Sequence, residues 1–311
     1  MYDAFHYPFE ALTNAHEEAL ERFLFEWVGE HGMLDERVER VLRASRFSAL
    51  TARAYPRAAP PPLELVGAWT VWLFLQDDRC DEARLGRRAE ALRREVDRYA
   101  RVLQRAIPPS TPLETSLADV RDRLASLGAP GCSSRFGEAA QAYFDACVWE
   151  AGNREAGGAP DVATYRRMRR HTGGVSTCLA LIEVTDDVRL PLEARSHPTL
   201  RGLGEAANDV ICLSNDVFSA EKELRQGDVH NLTILTMREQ GSSFAEAVAA
   251  VTRLHDAELR RFLALEAALP SFGGRYDRDV ERYVLALKAW MCGNLEWSKL
   301  SGRYRPGRAG L

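Results

Sequence analysis

Apolar residues recur along this chain at spacings of three and four through most of its length, and no strand-length window holds a clean apolar-polar alternation. This periodicity predicts an all-α protein. Proline and glycine clusters punctuate the pattern at residues 55–62, 107–112, 127–131, 152–160 and 189–191 with Pro198, then at Gly227, Gly241 and residues 269–274. They divide the chain into about ten to twelve helices, commonly of about 15 to 25 residues, long enough to pack as a bundle around a deep central cavity. No stretch is long or polar enough to act as a linker and no internal repeat is evident, so residues 1–311 are expected to form a single domain.

Composition narrows the function classes. The chain is 46% hydrophobic and carries a formal net charge of -4, which supports a large core and offers no electrostatic reason to bind nucleic acid or an anionic membrane surface. The longest apolar run, residues 65–75, is too short to span a bilayer, and the first ten residues lack the basic and apolar regions of a signal peptide. The six cysteines, at 80, 132, 147, 178, 212 and 292, form no Cys-x-x-Cys pair and no zinc spacing, so they are expected to be reduced, mostly buried thiols of a cytoplasmic protein. The arginines of residues 84–105 and Arg166, Arg167 and Arg170 are expected on solvated faces, and Trp69, Trp72 and Trp149 in the core.

Two clusters of metal-type side chains stand out. In Asp77-Asp78-Arg-Cys-Asp81, residues 77 and 81 lie four apart and share a helix face, while Asp78 points away toward a neighbouring element. Asn215, Ser219 and Glu223 follow the same spacing twice, which lines an amide oxygen, a hydroxyl and a carboxylate along one helix. Oxygen-only donors of this kind suit a hard cation such as Mg²⁺, which keeps several waters and completes its shell with phosphate oxygens. A lone acidic stripe is ordinarily solvated surface. Both stripes here, however, follow apolar runs that must be buried, Leu65 to Leu75 and Val210 to Leu213, which puts the donors where core helices reach a cavity mouth.

Together these residues resemble the microbial class I terpene synthases. Asp77-Asp-Arg-Cys-Asp81 is similar to that family's aspartate-rich motif, and Asn215-Asp-Val-Phe-Ser219-Ala-Glu-Lys222-Glu223 is similar to its second metal motif. Arg303-Tyr304 resembles the family's C-terminal pair, and Arg169 stands where its diphosphate-sensing arginine is expected. Order and separations agree over nearly the whole chain, with weaker echoes at Asn14, at Gly227 to Asn231 and at Trp290 to Trp297.

The resemblance implies a single-domain class I terpenoid synthase-like helical bundle around a deep central cavity, which ionises and cyclises a prenyl diphosphate. It implies three Mg²⁺ ions, held by Asp77 with Asp81 and by Asn215, Ser219 and Glu223. Arg169, Lys222, Arg303 and Tyr304 would bind the diphosphate, and Asp78 would orient a basic partner. The carbonyl near Gly173, at a helix break made by Gly173 and Gly174, would lie beside the reacting carbon. Phe74 and Trp290 would present aromatic faces to carbocations. Thr172 stands where many relatives carry an aspartate that links sensing to ionisation. Farnesyl diphosphate, giving a sesquiterpene, is the expected substrate, and Leu73 and Cys178 leave room for the twenty-carbon geranylgeranyl diphosphate of a diterpene synthase. A homodimer is compatible with the family. The competing readings are a prenyltransferase, against which the absence of a second aspartate-rich motif argues, and a non-catalytic helical binding protein.

Overall fold

The computed structural model describes residues 5–82, 85–128 and 131–304, apart from the side chains of Asp81, Glu82 and Arg275. Among these residues there is no strand, and fifteen α-helices follow one another. In chain order they are α1 (Glu17–Glu30), α2 (Glu36–Ser45), α3 (Phe47–Ala54), α4 (Pro60–Glu82), α5 (Ala89–Leu103), α6 (Pro112–Ser126) and α7 (Cys132–Glu155). Next come α8 (Val162–Thr172), α9 (Val175–Ala180), α10 (Ile182–Thr185), α11 (Leu192–Ser196), α12 (Pro198–Gln226), α13 (Leu232–Gln240), α14 (Phe244–Ala267) and α15 (Arg275–Leu300).

The count exceeds the expected ten to twelve for two local reasons. Short helices α9, α10 and α11 of four to six residues fill the stretch between α8 and α12. The break between α2 and α3 falls at Arg46, whose φ of 54° ends one helix in a left-handed turn without any glycine or proline to announce it.

Two breakers behave differently from their sequence signal. Pro60, Pro61 and Pro62 open α4 instead of preceding it, because N–H groups in a first turn have no intrahelical acceptor and proline sacrifices nothing there. Gly152 lies inside α7, and the break comes only after Glu155. Other ends follow the expected chemistry. Asp35, Thr111, Asp161 and Asn231 accept hydrogen bonds from first-turn amides of α2, α6, α8 and α13. Ser243 and Glu246 form a capping box at the start of α14.

Helix α12 is the axis of the bundle, packed against α14 and α15, while α15 also packs on α3 and α4 packs on α1 and α6. Indoles pin these contacts. Trp69 and Trp72 stack at 5.1 Å and donate to Thr177 Oγ1 and the Leu113 carbonyl at 2.7 and 2.9 Å. Trp297 donates to the Ser45 carbonyl at 2.6 Å, which ties the end of α15 to α2. Full burial of a large apolar side chain stabilises by about 1.5–3 kcal/mol, and a satisfied N–H avoids the opposing desolvation cost. Trp149 departs from expectation: it is half-buried, edge-on to His230 near the loop after α12. No helix among the described residues is long and apolar enough to cross a membrane.

Candidate active site

A cavity of about 200 Å³ runs down between α4, α7, α12 and α15. Asp77 lines it from α4, and Asn215, Ser219, Lys222 and Glu223 line it from α12. Arg303 and Tyr304, in the turn that follows α15, cross its mouth. The two oxygen-rich stripes therefore belong to one space. Its deeper wall is apolar and aromatic, with Leu73, Ile211 and Trp290.

The C-terminal pair bridges both walls. Arg303 donates to both carboxylate oxygens of Asp78, at 2.8 and 3.2 Å, and lies 3.7 Å from Asp77. Burial alone would lower Arg303, but Asp78 more than compensates and keeps the guanidinium charged. Asp78 thus orients a basic partner, which comes from the C-terminal turn. On the opposite wall, Asn215 Nδ2 donates to the Tyr304 hydroxyl at 2.7 Å. The Asp77 side chain is 61% exposed and lines the cavity. Restricted hydration and then the neighbouring Asp78 raise its carboxyl, while Arg303 and Lys222 pull it down. The side chain of Asp81 lies outside the described residues.

The second stripe is organised by Arg169 together with Asp216 and Asn231, two residues to which sequence reasoning assigned no role. Arg169, on α8, donates from Nε to Asp216 at 2.8 Å and from Nη2 to Asn215 Oδ1 at 2.7 Å. Asp216 also accepts from the Tyr165 hydroxyl and from the Leu232 amide, at 3.0 and 2.9 Å. Its carboxylate outweighs the desolvation of Arg169, so the arginine remains a cation deep in the wall. Asn231 donates to Ser219 Oγ and to Glu223 at 3.2 and 2.8 Å. Burial, and next the charge of Asp216, push Glu223 up to about 7. Lys222 makes no hydrogen bond or ion pair among the described residues and is near enough to Asp77 to lower it. The available signal for Asp216 was its place: at about 100° per residue, the position after Asn215 points off the stripe toward another helix, and an acid there must find a partner. Arg170 corrects the surface expectation, since it forks onto Asp209 at 2.6 and 2.8 Å.

Helix α8 ends at Thr172, and Gly174, with φ of 67°, turns the chain left-handed into α9. The expected break is present. A Cβ built on Gly173 would sit 2.7 Å from Cys212 Sγ and 3.2 Å from the Arg169 carbonyl, so this position has no space for a side chain. We expect Gly173→Ala to lower turnover about 100-fold, because a displacement near 1 Å at a reacting centre can cost that much. Adding Cys212→Ala should recover most of it. Diphosphate release measured on both variants checks this, and an unimpaired Gly173→Ala enzyme would remove the steric argument. Thr172 Oγ1 is buried without a hydrogen bond, and the link to Arg169 runs through Asp216 and Asn215 instead.

The two aromatic candidates differ. Phe74 stacks on Phe47 at 4.5 Å and carries the Arg303 guanidinium 4.7 Å from its ring centre, so its π density already serves a cation of the protein. Trp290 lines the cavity and meets Tyr55 edge to face at 5.4 Å.

The donor set fits a hard divalent cation. Among the described residues no three His, Cys, Asp or Glu side chains group as a metal site. Donors here must include the Asn215 amide and Ser219 hydroxyl beside Glu223, an all-oxygen set that suits Mg²⁺ better than zinc or copper. Asn215 Oδ1 and Ser219 Oγ each already take one hydrogen bond, and each oxygen has a second lone pair.

Comparison with known proteins agrees with this geometry. The family model described as "Terpene synthase family 2, C-terminal metal binding" matches residues 68–261. The chain is 35% identical over 302 residues to a (+)-T-muurolol synthase ((2E,6E)-farnesyl diphosphate cyclizing) of Roseiflexus castenholzii, covering 96% of this chain and 93% of that protein. It is 33% identical to the 10-epi-cubebol synthase of Sorangium cellulosum, covering 96% of each. Among solved structures, germacradien-4-ol synthase from Streptomyces citricolor superposes with a TM-score of 0.85 at 25% identity, over 94% of this chain and 97% of that one.

Proposed function

Because this chain belongs to the microbial class I terpene synthases, all-α enzymes that depend on divalent metal, we propose that it ionises farnesyl diphosphate and cyclises the resulting cation to a sesquiterpene. The observation that carries this reading is the single cavity in which Asp77 faces the stripe of Asn215, Ser219 and Glu223, with Arg169, Lys222 and Arg303 on the same walls and an apolar floor below. The fifteen-carbon chain is supported by the farnesyl diphosphate cyclising activity of the Roseiflexus relative.

An allylic diphosphate ionises only when the charge developing on its leaving group is stabilised. Mg²⁺, proposed as three ions on Asp77 with Asp81 and on Asn215, Ser219 and Glu223, supplies Lewis-acid neutralisation of that charge. The chain's own cations complete the binding. Arg169 and Arg303 match phosphate oxygens with planar forks, Lys222 adds a point charge, and the Tyr304 hydroxyl adds a donor. Asp216 and Asp78 hold the two guanidinium groups in place before substrate arrives, which reduces the reorganisation that binding requires. Gly173 leaves the Arg169 end of the cavity open toward the reacting carbon. Below it the apolar wall limits the water that can reach the cation, and Trp290 offers it an aromatic ring, while Phe74 serves the site by supporting Arg303.

Incubation of the purified chain with Mg²⁺ and the ten, fifteen and twenty carbon prenyl diphosphates in turn, followed by gas chromatography with mass spectrometry, tests this. We expect cyclic fifteen-carbon product from farnesyl diphosphate and none when the metal is chelated. A chain-lengthened diphosphate would indicate a transferase, and folded protein that leaves farnesyl diphosphate intact would overturn the reading.

A further inference from the structure

We propose that Asn294 seats the water molecule that ends the reaction, so that the cyclic product is an alcohol; this rests on the cyclase reading above. Asn294 is 5% exposed and lies on α15 between Trp290 and Trp297, which line the cavity with it. It sits six residues before Leu300, the end of the helix, and so about 9 Å below the mouth at 1.5 Å per residue. The amide lies beside Ser214, Trp290 and Trp297, below the residues proposed to bind the diphosphate.

Hydrogen bonding sets which end of the amide faces the cavity. The Ser214 hydroxyl donates to the Ile211 carbonyl at 2.9 Å. Asn294 Nδ2 donates to the same hydroxyl at 3.2 Å. The amide oxygen is left facing the other way, with no donor among the described residues. Among the described residues, two fully buried polar atoms of cavity-lining side chains also lack partners, Thr172 Oγ1 and Trp290 Nε1, and both are sealed from any open space. Asn294 Oδ1 is not sealed and remains in contact with the cavity.

An acceptor that meets the cavity without a protein donor takes one from whatever fills the cavity, and the hydrocarbon part of a substrate cannot supply it. A water can. Thr70, on the α4 side of the same cavity, donates its hydroxyl proton to the Val66 carbonyl at 2.7 Å and keeps lone pairs as further acceptors. A water that donates to Asn294 Oδ1 turns its own lone pairs toward the cation. The chemistry balances simply: a carbon–oxygen bond forms between the cationic carbon and the water, one O–H bond of that water breaks, and the proton leaves on the released diphosphate, the base that ionisation generates.

The test is turnover of farnesyl diphosphate with Mg²⁺ in ¹⁸O-labelled water, read by gas chromatography with mass spectrometry. The expected main product of the full chain is a sesquiterpene alcohol that carries the label. In Asn294→Leu the ratio of alcohol to hydrocarbon should fall at least about tenfold, the worth of one good hydrogen bond. Ser214→Ala keeps Asn294 but frees its amide to rotate, and should lower the same ratio, which decides the matter if Asn294→Leu does not fold. Cyclic hydrocarbon alone from the unaltered enzyme, an unlabelled alcohol, or a ratio unmoved in both variants would overturn the role of Asn294 and leave the cyclase reading standing. Absence of cyclic product and of diphosphate release would overturn both.

Discussion

Glu223→Ala is expected to abolish turnover, by at least about 10³-fold, while the protein stays folded. Loss of one charge-stabilising group at a developing anion typically costs that much. Glu223 is the carboxylate of the α12 stripe, and among the described residues only Asn231 donates to it, at 2.8 Å. A half-buried carboxyl pushed up to about 7, first of all by desolvation, costs folding free energy instead of contributing it. The alanine variant should therefore melt no lower than the parent. Diphosphate release together with a thermal melt checks both halves. Activity within tenfold of the parent would exclude Glu223 from the metal site, and a lowered melting temperature would show that the carboxylate is a structural group.

Asp216→Ala should fail in the opposite way, by losing stability and activity together. Asp216 holds Arg169 at 2.8 Å, the Tyr165 hydroxyl at 3.0 Å and the Leu232 amide at 2.9 Å, which joins α8, α12 and the start of α13. Removing one partner of a buried ion pair strands the other charge and costs about 3–5 kcal/mol. Arg169 would lose its anchor, so turnover of the remaining folded protein should fall about 100-fold or more through mispositioning. Chemical denaturation with single-turnover kinetics separates the two effects. A variant as stable as the parent would mean that Arg169 finds other compensation, such as the Asn215 amide oxygen it already meets at 2.7 Å.

The contrast between Glu223 and Asp216 shows what was legible before any coordinates. Glu223 could be named because it repeats a spacing of four with Asn215 and Ser219, and that spacing has a fixed geometric meaning on any helix. Asp216 sits in the same motif, but its importance depends on Arg169 and Tyr165, about fifty residues earlier in the chain. Asn231 and Asn294 are similar, since their partners are brought to them by packing. Phe74 shows the converse: its position one turn before Asp77 was clear, but its task of carrying Arg303 was not. Helix ends are legible where a glycine marks them, as at Gly227 and Gly241, and not at Arg46, where an ordinary residue takes the left-handed conformation.

The sequence by itself determined the all-helical character and the two oxygen stripes, because helical periodicity and side-chain donor type are local properties that survive in any fold of these residues. Packing across the bundle brings both stripes to one cavity, rests Arg303 on Asp78 and Phe74, and sets the Asn294 amide nitrogen against Ser214. Those outcomes depend on which buried polar groups satisfy each other across distant helices. Burial makes each such choice costly to leave unmet, and packing alone selects the partners.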